Sequence, residues 1–224
     1  MSSLLSDKQR LRIKTRHRNS VEQFGYQPQA LYWSSREIQE IRFKKLSELL
    51  PLNAKQENGR PSAWSILDVG CGFADLKEYL YQHGFEVDYY GIDLSEAIAE
   101  SAQNLHPGIQ IQVGDIFDVA PKADSYDFVL LSGALNEVVE TEIEGTAQHQ
   151  GRYAKAVIRK MYDTCRYGVA FNLLDARNPW IQSRPDLQSF LPQEIVEYCK
   201  SFAARVRWSD GYLENDFTVY LEKQ

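Results

Sequence analysis

The residues best suited to chemistry follow a short apolar run in the first third of the chain. A Gly-x-Gly turn, Gly70-Cys71-Gly72, comes directly after the segment WSILDV at 64–69 and before a predicted helix. Glycine lets the backbone turn sharply and lets a ligand approach its main-chain atoms. Ligands of open parallel sheets bind beyond the carboxyl ends of the strands, so this turn predicts the floor of a binding site. The same turn could also serve only to connect a strand to a helix.

Three acidic residues stand at the ends of three successive predicted strands: Asp68, Asp93 and Asp115. Asp93 lies 21 residues after Gly72, at a position where a carboxylate can accept hydrogen bonds from both hydroxyls of a ribose. Asp115, in VGDIF, stands where an acid can accept from the exocyclic amine of adenine. Each acid alone could instead cap a helix, but the three together favour a nucleoside site.

Position 75 selects among nucleoside cofactors. The dinucleotide fingerprint requires a third small residue there, so that the helix N-terminus can receive a pyrophosphate. The chain has Asp75, and its carboxylate would repel a phosphate. A cofactor with an adenosine and no phosphate is therefore favoured, and S-adenosylmethionine has that chemistry.

Four segments, in order, resemble the cofactor motifs of the class I S-adenosylmethionine-dependent methyltransferases, the Rossmann-like methyltransferase superfamily: DVGCG, GIDLS, VGDIF and FVLLSGALNEV. The segment FTVYL is similar to the antiparallel last strand of that family, and the resemblance spans about Trp64 to Lys223. Ala74 stands where many members have a third glycine, and alanine is small enough for us to expect the loop to form. The resemblance implies an enzyme that uses S-adenosylmethionine and releases S-adenosylhomocysteine.

The resemblance also implies which residues bind the cofactor, all of them at strand ends: Asp68, Gly70, Cys71, Gly72, Asp93, Leu94, Asp115, Ile116, Leu131 and Ser132. The glycine turn would surround the methionine moiety, and Asp93 would hold the ribose hydroxyls. Leu94 would pack on adenine, while Asp115 and the backbone amide of Ile116 would read the adenine amine. The two residues that end the fourth strand would offer backbone carbonyls to the methionine ammonium.

Five further residues are candidates beyond this cofactor set. Arg42 is either the cation for the cofactor carboxylate or a solvated helix-face charge. Trp33 and Tyr32 either wall the sulfonium or belong to the core. Asn136 follows strand four, the position that faces the methyl group. His149 has the side chain best suited to a general base, or is an ordinary loop histidine. The catalytic residue stays open among Asn136, Tyr32 and His149.

The segment KQRLRIKTRHR, Lys8 to Arg18, carries six Lys or Arg residues and one His. It is either a solvated helix face or a binding edge for an anionic substrate or an RNA backbone. We expect it to serve the methyl acceptor and not the cofactor. Walls for the acceptor are expected from two inserts, Val138 to Gly151 and Asp175 to Leu191.

The elements that position these residues alternate between strand and helix. They predict an α/β fold: a Rossmann-like, seven-stranded, mostly parallel sheet with an antiparallel C-terminal strand, helices on both faces and an N-terminal helical lid. The predicted strands are 64–69, 87–92, 109–113, 126–131, 167–174, 205–208 and 217–221. The predicted helices after the linker are 74–82, 95–105, 148–165 and 192–202. The linker, Leu52 to Ala63, divides a lid region (1–60) from the methyltransferase domain (61–224).

Composition limits the remaining choices. Hydrophobic residues make up 43% and the net charge is −6, which is typical of a folded protein and disfavours nucleic acid as partner. No apolar run is long enough for a membrane span, and MSSLLSDKQR lacks the apolar segment of a secretory signal. Three scattered cysteines predict neither a metal site nor disulfides, which fits a cytoplasmic protein.

We therefore expect a methyltransferase that acts on a small-molecule acceptor by in-line transfer to oxygen, nitrogen or carbon. An RNA or protein methyltransferase, a non-catalytic nucleoside-binding module and a dinucleotide oxidoreductase are the alternatives. Neither the acceptor nor the oligomeric state follows from the sequence.

Overall fold

The computed structural model describes residues 4–57, 60–138 and 151–223. Within these ranges the α-helices are α1 (Asp7–Phe24), α2 (Arg36–Ser47), α3 (Asp75–Gln82), α4 (Glu96–Leu105), α5 (Ile116–Val119), α6 (Arg152–Thr164), α7 (Pro179–Gln182) and α8 (Pro192–Lys200). A 3₁₀ helix spans Pro28–Leu31. The strands are β1 (Lys55–Glu57), β2 (Arg60–Ser62), β3 (Trp64–Val69), β4 (Val87–Asp93), β5 (Gln110–Val113), β6 (Tyr126–Leu131), β7 (Cys165–Asp175), β8 (Ser189–Phe190), β9 (Arg205–Ser209) and β10 (Asp216–Glu222).

One large sheet organises the described part of the chain, in the order β5-β4-β3-β6-β7-β10-β9, with β8 paired to the end of β7. Neighbours from β5 through β7 are parallel, and β10 runs antiparallel to both β7 and β9. The short connection between β9 and β10 requires this antiparallel pairing, because it has no room for a crossover. The predicted fold class is confirmed.

Two predicted regions contain elements that the sequence analysis did not predict, and one predicted helix has different bounds. The predicted linker contains a small antiparallel hairpin, β1 with β2, and the second predicted insert contains β8 and α7. The predicted helix 148–165 is α6, which begins at Arg152 and ends at Thr164; residues 148–150 lie outside the described residues. Cys165 belongs to β7 because it pairs with Tyr126 of β6.

Apolar side chains cover both faces of the central strands. On one face, Val129 and Leu131 of β6 pack in the cluster that holds Met161 of α6. On the other face, Leu130 packs with Phe43 of α2. Both faces are therefore buried, as a parallel sheet requires. Since α2 is one of the helices that cover the sheet, the division of the chain at residue 60 stays a prediction.

The helix α1 lies outside this sheet core. Ser6 caps it through a reciprocal pair of hydrogen bonds with Gln9. Val21 of α1 and Leu31 of the 3₁₀ helix pack against Phe73 and Ile98, which belong to the loop after β3 and to α4. The N-terminal segment thus rests on the carboxyl ends of the first two parallel strands. No helix in the described ranges has both the length and the apolar character that a membrane crossing requires.

Candidate active site

A cavity of about 690 Å³ opens at the carboxyl ends of β3, β4 and β6. It collects fourteen of the fifteen residues predicted from the sequence: Tyr32, Trp33, Arg42, Asp68, Gly70, Cys71, Gly72, Asp93, Leu94, Asp115, Ile116, Leu131, Ser132 and Asn136. His149 lies outside the described residues. The volume is in the usual range for small-ligand sites.

The glycine turn has backbone angles and close contacts that exclude larger residues. Gly70 and Gly72 have φ values of +73° and +57°. A Cβ on Gly70 would lie 2.2 Å from Cβ of Ala134, and one on Gly72 would lie 2.7 Å from a methyl of Leu31. Ala74 is fully buried and also adopts a positive φ, +62°. The loop forms with alanine at this position, as expected, although the backbone there is of the kind that glycine adopts most readily.

Asp68 presents a buried acceptor at the end of β3. Its Oδ2 accepts a 2.5 Å hydrogen bond from the Tyr89 hydroxyl, whereas its Oδ1 is buried without a partner among the described residues. Burial raises the pKa of the Asp68 carboxyl to about 7. The negative charge of Asp93 also raises this pKa, whereas the hydrogen bond from Tyr89 lowers it. A buried carboxylate oxygen in this state fits a cationic ligand group, whose charge would stabilise the ionised form.

Asp93 ties the glycine turn to the next loop. Its Oδ2 accepts from the backbone N–H of Gly72 at 3.0 Å, and its Oδ1 accepts from that of Ser95 at 2.9 Å. Burial raises the pKa of this carboxyl, while the neighbouring His17 and the two backbone donors oppose the shift. The helix cap of α4 is Ser95, so the alternative that Asp93 is itself the cap is wrong.

Asp115 caps a helix, which is the alternative role that the sequence analysis left open for it. It is the N-cap of α5, and its Oδ1 accepts from the backbone N–H groups of Phe117 and Asp118. Its Oδ2 accepts from Arg10 of α1 at 2.9 Å, and Arg10 also donates to Asp118 at 2.6 Å. Contact of this carboxylate with an adenine amine remains a prediction.

Arg42 is a buried ion-pair partner, so the alternative of a solvated charge is wrong. Its Nε donates to Asp216, and its guanidinium lies 4.5 Å from the ring centroid of Trp33. The Trp33 ring packs closely against Gly133: a Cβ added to this glycine would lie 2.6 Å from the indole. Arg42 still borders the cavity, and its bond to a cofactor carboxylate stays a prediction.

The basic segment folds as part of α1, and several of its charges bind acidic residues of the same chain. Arg12 and Arg16 lie 3.4 and 3.1 Å from the carboxylate of Glu137, and Lys14 donates to Glu96 at 2.6 Å. These three charges are paired, although about a third of each side chain remains exposed, so the solvated helix face and the binding edge both stay predictions. Tyr32 packs against Arg16, whose guanidinium lies 4.1 Å from its ring centroid.

The expectation that this segment serves the acceptor and not the cofactor stays a prediction, but part of the segment lies beside the predicted cofactor residues. Ile13, Arg16 and His17 border the cavity, and Arg10 holds Asp115. The physical reason is charge complementarity: the strand-end acids that the sequence assigns to a ligand attract a helix rich in cations.

Sequence reasoning missed two cavity residues with buried, unpartnered polar atoms. His17 has such an atom in Nδ1, and Gln188 in Oε1, as far as the described residues show. His17 was noted only as part of a charged run, and Gln188 only as part of an insert. Of the residues in that insert, Trp180 and Arg184 line the cavity, whereas Phe190 is part of the core.

Comparison with known proteins gives consistent results. A family model described as a methyltransferase domain matches residues 66–156. A Mycobacterium tuberculosis protein named as a methyltransferase is 26% identical over 71% of this chain and 93% of its own length. The ubiquinone biosynthesis O-methyltransferase of Coxiella burnetii is 25% identical over 81% of this chain and 79% of its own.

Solved structures share the fold at low sequence identity. The magnesium protoporphyrin IX methyltransferase of Synechocystis, crystallised with S-adenosylmethionine, has a TM-score of 0.52 and 16% identity, and the match covers 100% of this chain and 87% of that one. A S-adenosylmethionine-dependent methyltransferase of Archaeoglobus fulgidus has a TM-score of 0.59 and 12% identity over 84% of this chain and 95% of its own.

Proposed function

We propose that this chain is a class I, Rossmann-like S-adenosylmethionine-dependent methyltransferase, and that it methylates a small molecule held beneath its N-terminal helix. The observation that carries the site assignment is the buried Oδ1 of Asp68 beside the glycine turn, which has no hydrogen-bond partner among the described residues. It is a buried acceptor at the position where the methionine ammonium would bind.

The residues at this end of the cavity fit the cofactor. Gly70 and Gly72 leave a cradle that a Cβ would fill, and Asp68 offers a negative charge to the ammonium. Asp93 is fixed by two backbone donors and retains lone pairs for ribose hydroxyls. Leu94 and Ile116 border the cavity where adenine is expected. When bound, S-adenosylmethionine supplies a sulfonium methyl group that an acceptor atom displaces in line.

The chain's own part in the reaction is to align the reactants and exclude water. No buried acid–base pair is needed to cleave a sulfonium bond, and holding two reactants in register can supply several powers of ten in rate. The helix α1 and Trp33 cover the cavity, and ion pairs to Glu137 and Asp115 hold α1 in place. A proton released by an O–H or N–H acceptor would pass to water at the cavity mouth.

Two features support a small acceptor. The cations of α1 that an RNA backbone would need are bound to acidic side chains, which lowers their attraction for phosphate. The cavity is roofed by α1 and the 3₁₀ helix, so a folded polymer would have to displace them. Relatives named for ubiquinone biosynthesis and for magnesium protoporphyrin add support for a small-molecule acceptor.

The test is transfer of a tritiated methyl group from S-adenosylmethionine into three fractions of one lysate: small molecules, RNA and protein. We expect label in the small-molecule fraction, and much less of it when Asp68→Asn protein replaces the parent at a low concentration of S-adenosylmethionine. Label in RNA or protein alone would overturn the small-acceptor proposal. Calorimetry with S-adenosylhomocysteine and NAD checks the cofactor, because tight binding of NAD alone would overturn the assignment.

A further inference from the structure

Two amide side chains face each other where the chain leaves β6. Glu137 forms an antiparallel bridge with Leu187, and the N–H of Gln188 donates to the carbonyl of Asn136 at 2.9 Å. This register puts Asn136 directly opposite Gln188. Side chains at opposite positions of an antiparallel pair project to the same face and lie within contact range. Both residues line the cavity.

Each of these side chains has a buried acceptor oxygen without a donor. Oδ1 of Asn136 and Oε1 of Gln188 are both inaccessible and make no hydrogen bond to the described residues. Gln188 is 6% exposed, and its Nε2 donates to the carbonyl of Ser189 at 3.1 Å. That bond fixes the amide so that its oxygen is the atom left over. Because buried polar atoms nearly always have partners, two adjacent exceptions in a ligand cavity indicate a ligand that supplies donors.

The charges around this pair favour neutral donors. Glu137, the nearest acidic residue in sequence, already binds Arg12 and Arg16, and Arg184 binds Asp186 through two bonds of 2.8 and 2.6 Å. An ammonium group would meet these arginines without a free carboxylate to balance it. Hydroxyl groups donate without bringing charge.

The walls beside the pair are aromatic and apolar. The Trp33 ring lies against Gly133, where the Asn136 amide is also close, and Trp180 and Leu187 border the same cavity. Flat aromatic surfaces favour flat ligands, because offset stacking adds to the burial of apolar area.

We propose that Asn136 and Gln188 form the acceptor-recognition subsite, in which their two amide oxygens accept hydrogen bonds from neighbouring hydroxyl groups of an uncharged aromatic substrate. The inference rests on the proposed function and deepens it: it assigns the substrate class of the same cavity. It gives Asn136 a binding role, and it assigns a role to Gln188 that the sequence did not suggest.

The test measures binding of simple probes to the full chain saturated with S-adenosylhomocysteine. Catechol carries two adjacent hydroxyls, its dimethyl ether carries none, and benzylamine carries a charged donor. By calorimetry we expect catechol to bind about tenfold more tightly than either of the other two, the ratio that about 1.4 kcal/mol of hydrogen bonding gives. Equal or tighter binding of the dimethyl ether or of benzylamine, or no measurable binding of catechol, would overturn the proposal.

Variants separate recognition from a structural role. Gln188→Met and Asn136→Leu should each weaken catechol binding about tenfold, leave the affinity for S-adenosylhomocysteine unchanged, and remove the difference between catechol and its dimethyl ether. Gln182→Met is the matched control, because Gln182 also donates to a backbone carbonyl but lies outside the cavity lining. Unchanged catechol binding in both site variants would overturn the subsite. If the unmodified protein does not bind S-adenosylhomocysteine, the proposed function is overturned instead.

Discussion

The cofactor end and the acceptor end of the cavity are built from different kinds of chain. At the cofactor end, Asp68, Gly70 and Gly72 are consecutive or nearly so, and backbone hydrogen bonds fix them against β4. At the acceptor end, Arg16, Glu137 and Gln188 come from three distant segments and meet only in the folded protein. The first kind of site is encoded locally, while the second depends on how helices and inserts pack over the sheet.

The largest expected effect concerns the glycine turn. Gly70→Ala should destabilise the protein by about 2–5 kcal/mol and abolish binding of S-adenosylhomocysteine, because the φ of +73° disfavours a side chain and the added Cβ would collide with Ala134. Urea unfolding and calorimetry measure the two effects.

Gly84→Ala is the matched control for that variant. Gly84 has a φ of +78°, but no atom lies within 4 Å of its added Cβ. It should therefore lose about 1–2 kcal/mol from backbone strain alone, and it should keep its ligand affinity. If both variants lose the same stability, the close contact at Gly70 has no energetic role.

The next effect concerns the Asp68 carboxyl. Its pKa of about 7 means that it is largely protonated below pH 7, while the ligand ammonium requires the ionised form. Affinity for S-adenosylhomocysteine should therefore fall up to about tenfold per pH unit as the pH drops below 7, and level off above about pH 8. Calorimetry from pH 5.5 to 8.5 follows this change.

Asp68→Asn sharpens the assignment. The variant should bind about 10–100-fold more weakly at pH 8, since a hydrogen bond to a charged group contributes about 1.5–3 kcal/mol, and the slope below pH 7 should disappear. A variant that keeps the slope would place the titrating group elsewhere, with Asp93 as the nearest buried carboxyl whose pKa is raised.

Much of the cofactor end could be read from the sequence. The glycine turn, the strand-end acids and the antiparallel last strand are all recognisable from short segments, because their conformation depends mainly on residues close in sequence. Even there, Asp93 shows a limit: its bonds to the Gly72 and Ser95 amides mean that Asp93→Ala would disturb the loop as well as the ribose contact. Our sequence interpretation considered that residue as a ligand group or a helix cap, and not as a group that fixes the glycine turn.

The acceptor end was much less predictable. A basic run such as Lys8–Arg18 indicates positive charge but does not indicate which residues those charges contact. Arg12 and Arg16 pair with Glu137, which is more than a hundred residues away in the sequence. The buried pair of Arg42 with Asp216 has the same character. Such partners depend on tertiary packing, so no local pattern identifies them.

A smaller effect concerns the attachment of α1. Arg10→Gln should lower the free energy of unfolding by about 1 kcal/mol, because Arg10 bridges Asp115 and Asp118 with a side chain that is 16% exposed. Arg18→Gln, at an exposed position of the same helix, should have no effect. Hydrogen exchange in α1 provides the measurement, and the difference should shrink with added salt. Equal exchange in the two variants would show that apolar packing alone holds the helix.

The smallest effect is expected at Ala74. Ala74→Gly relieves a positive φ but removes a buried methyl and adds freedom to the unfolded chain, so stability should change by less than about 0.5 kcal/mol. Urea unfolding of this variant beside Gly70→Ala compares two positions of one loop. A change of more than about 1 kcal/mol would mean that the strain and the packing do not offset each other.

The ion pairs beneath α1 also have a consequence for the timing of catalysis. In the proposed lid role of α1, opening of the roof would separate Arg10 from Asp115 and Arg16 from Glu137. Pairs that must break together would make opening infrequent, and release of product would then be the slow step of each cycle. The acids that the sequence assigned to ligand recognition would then set the residence time of the product as well.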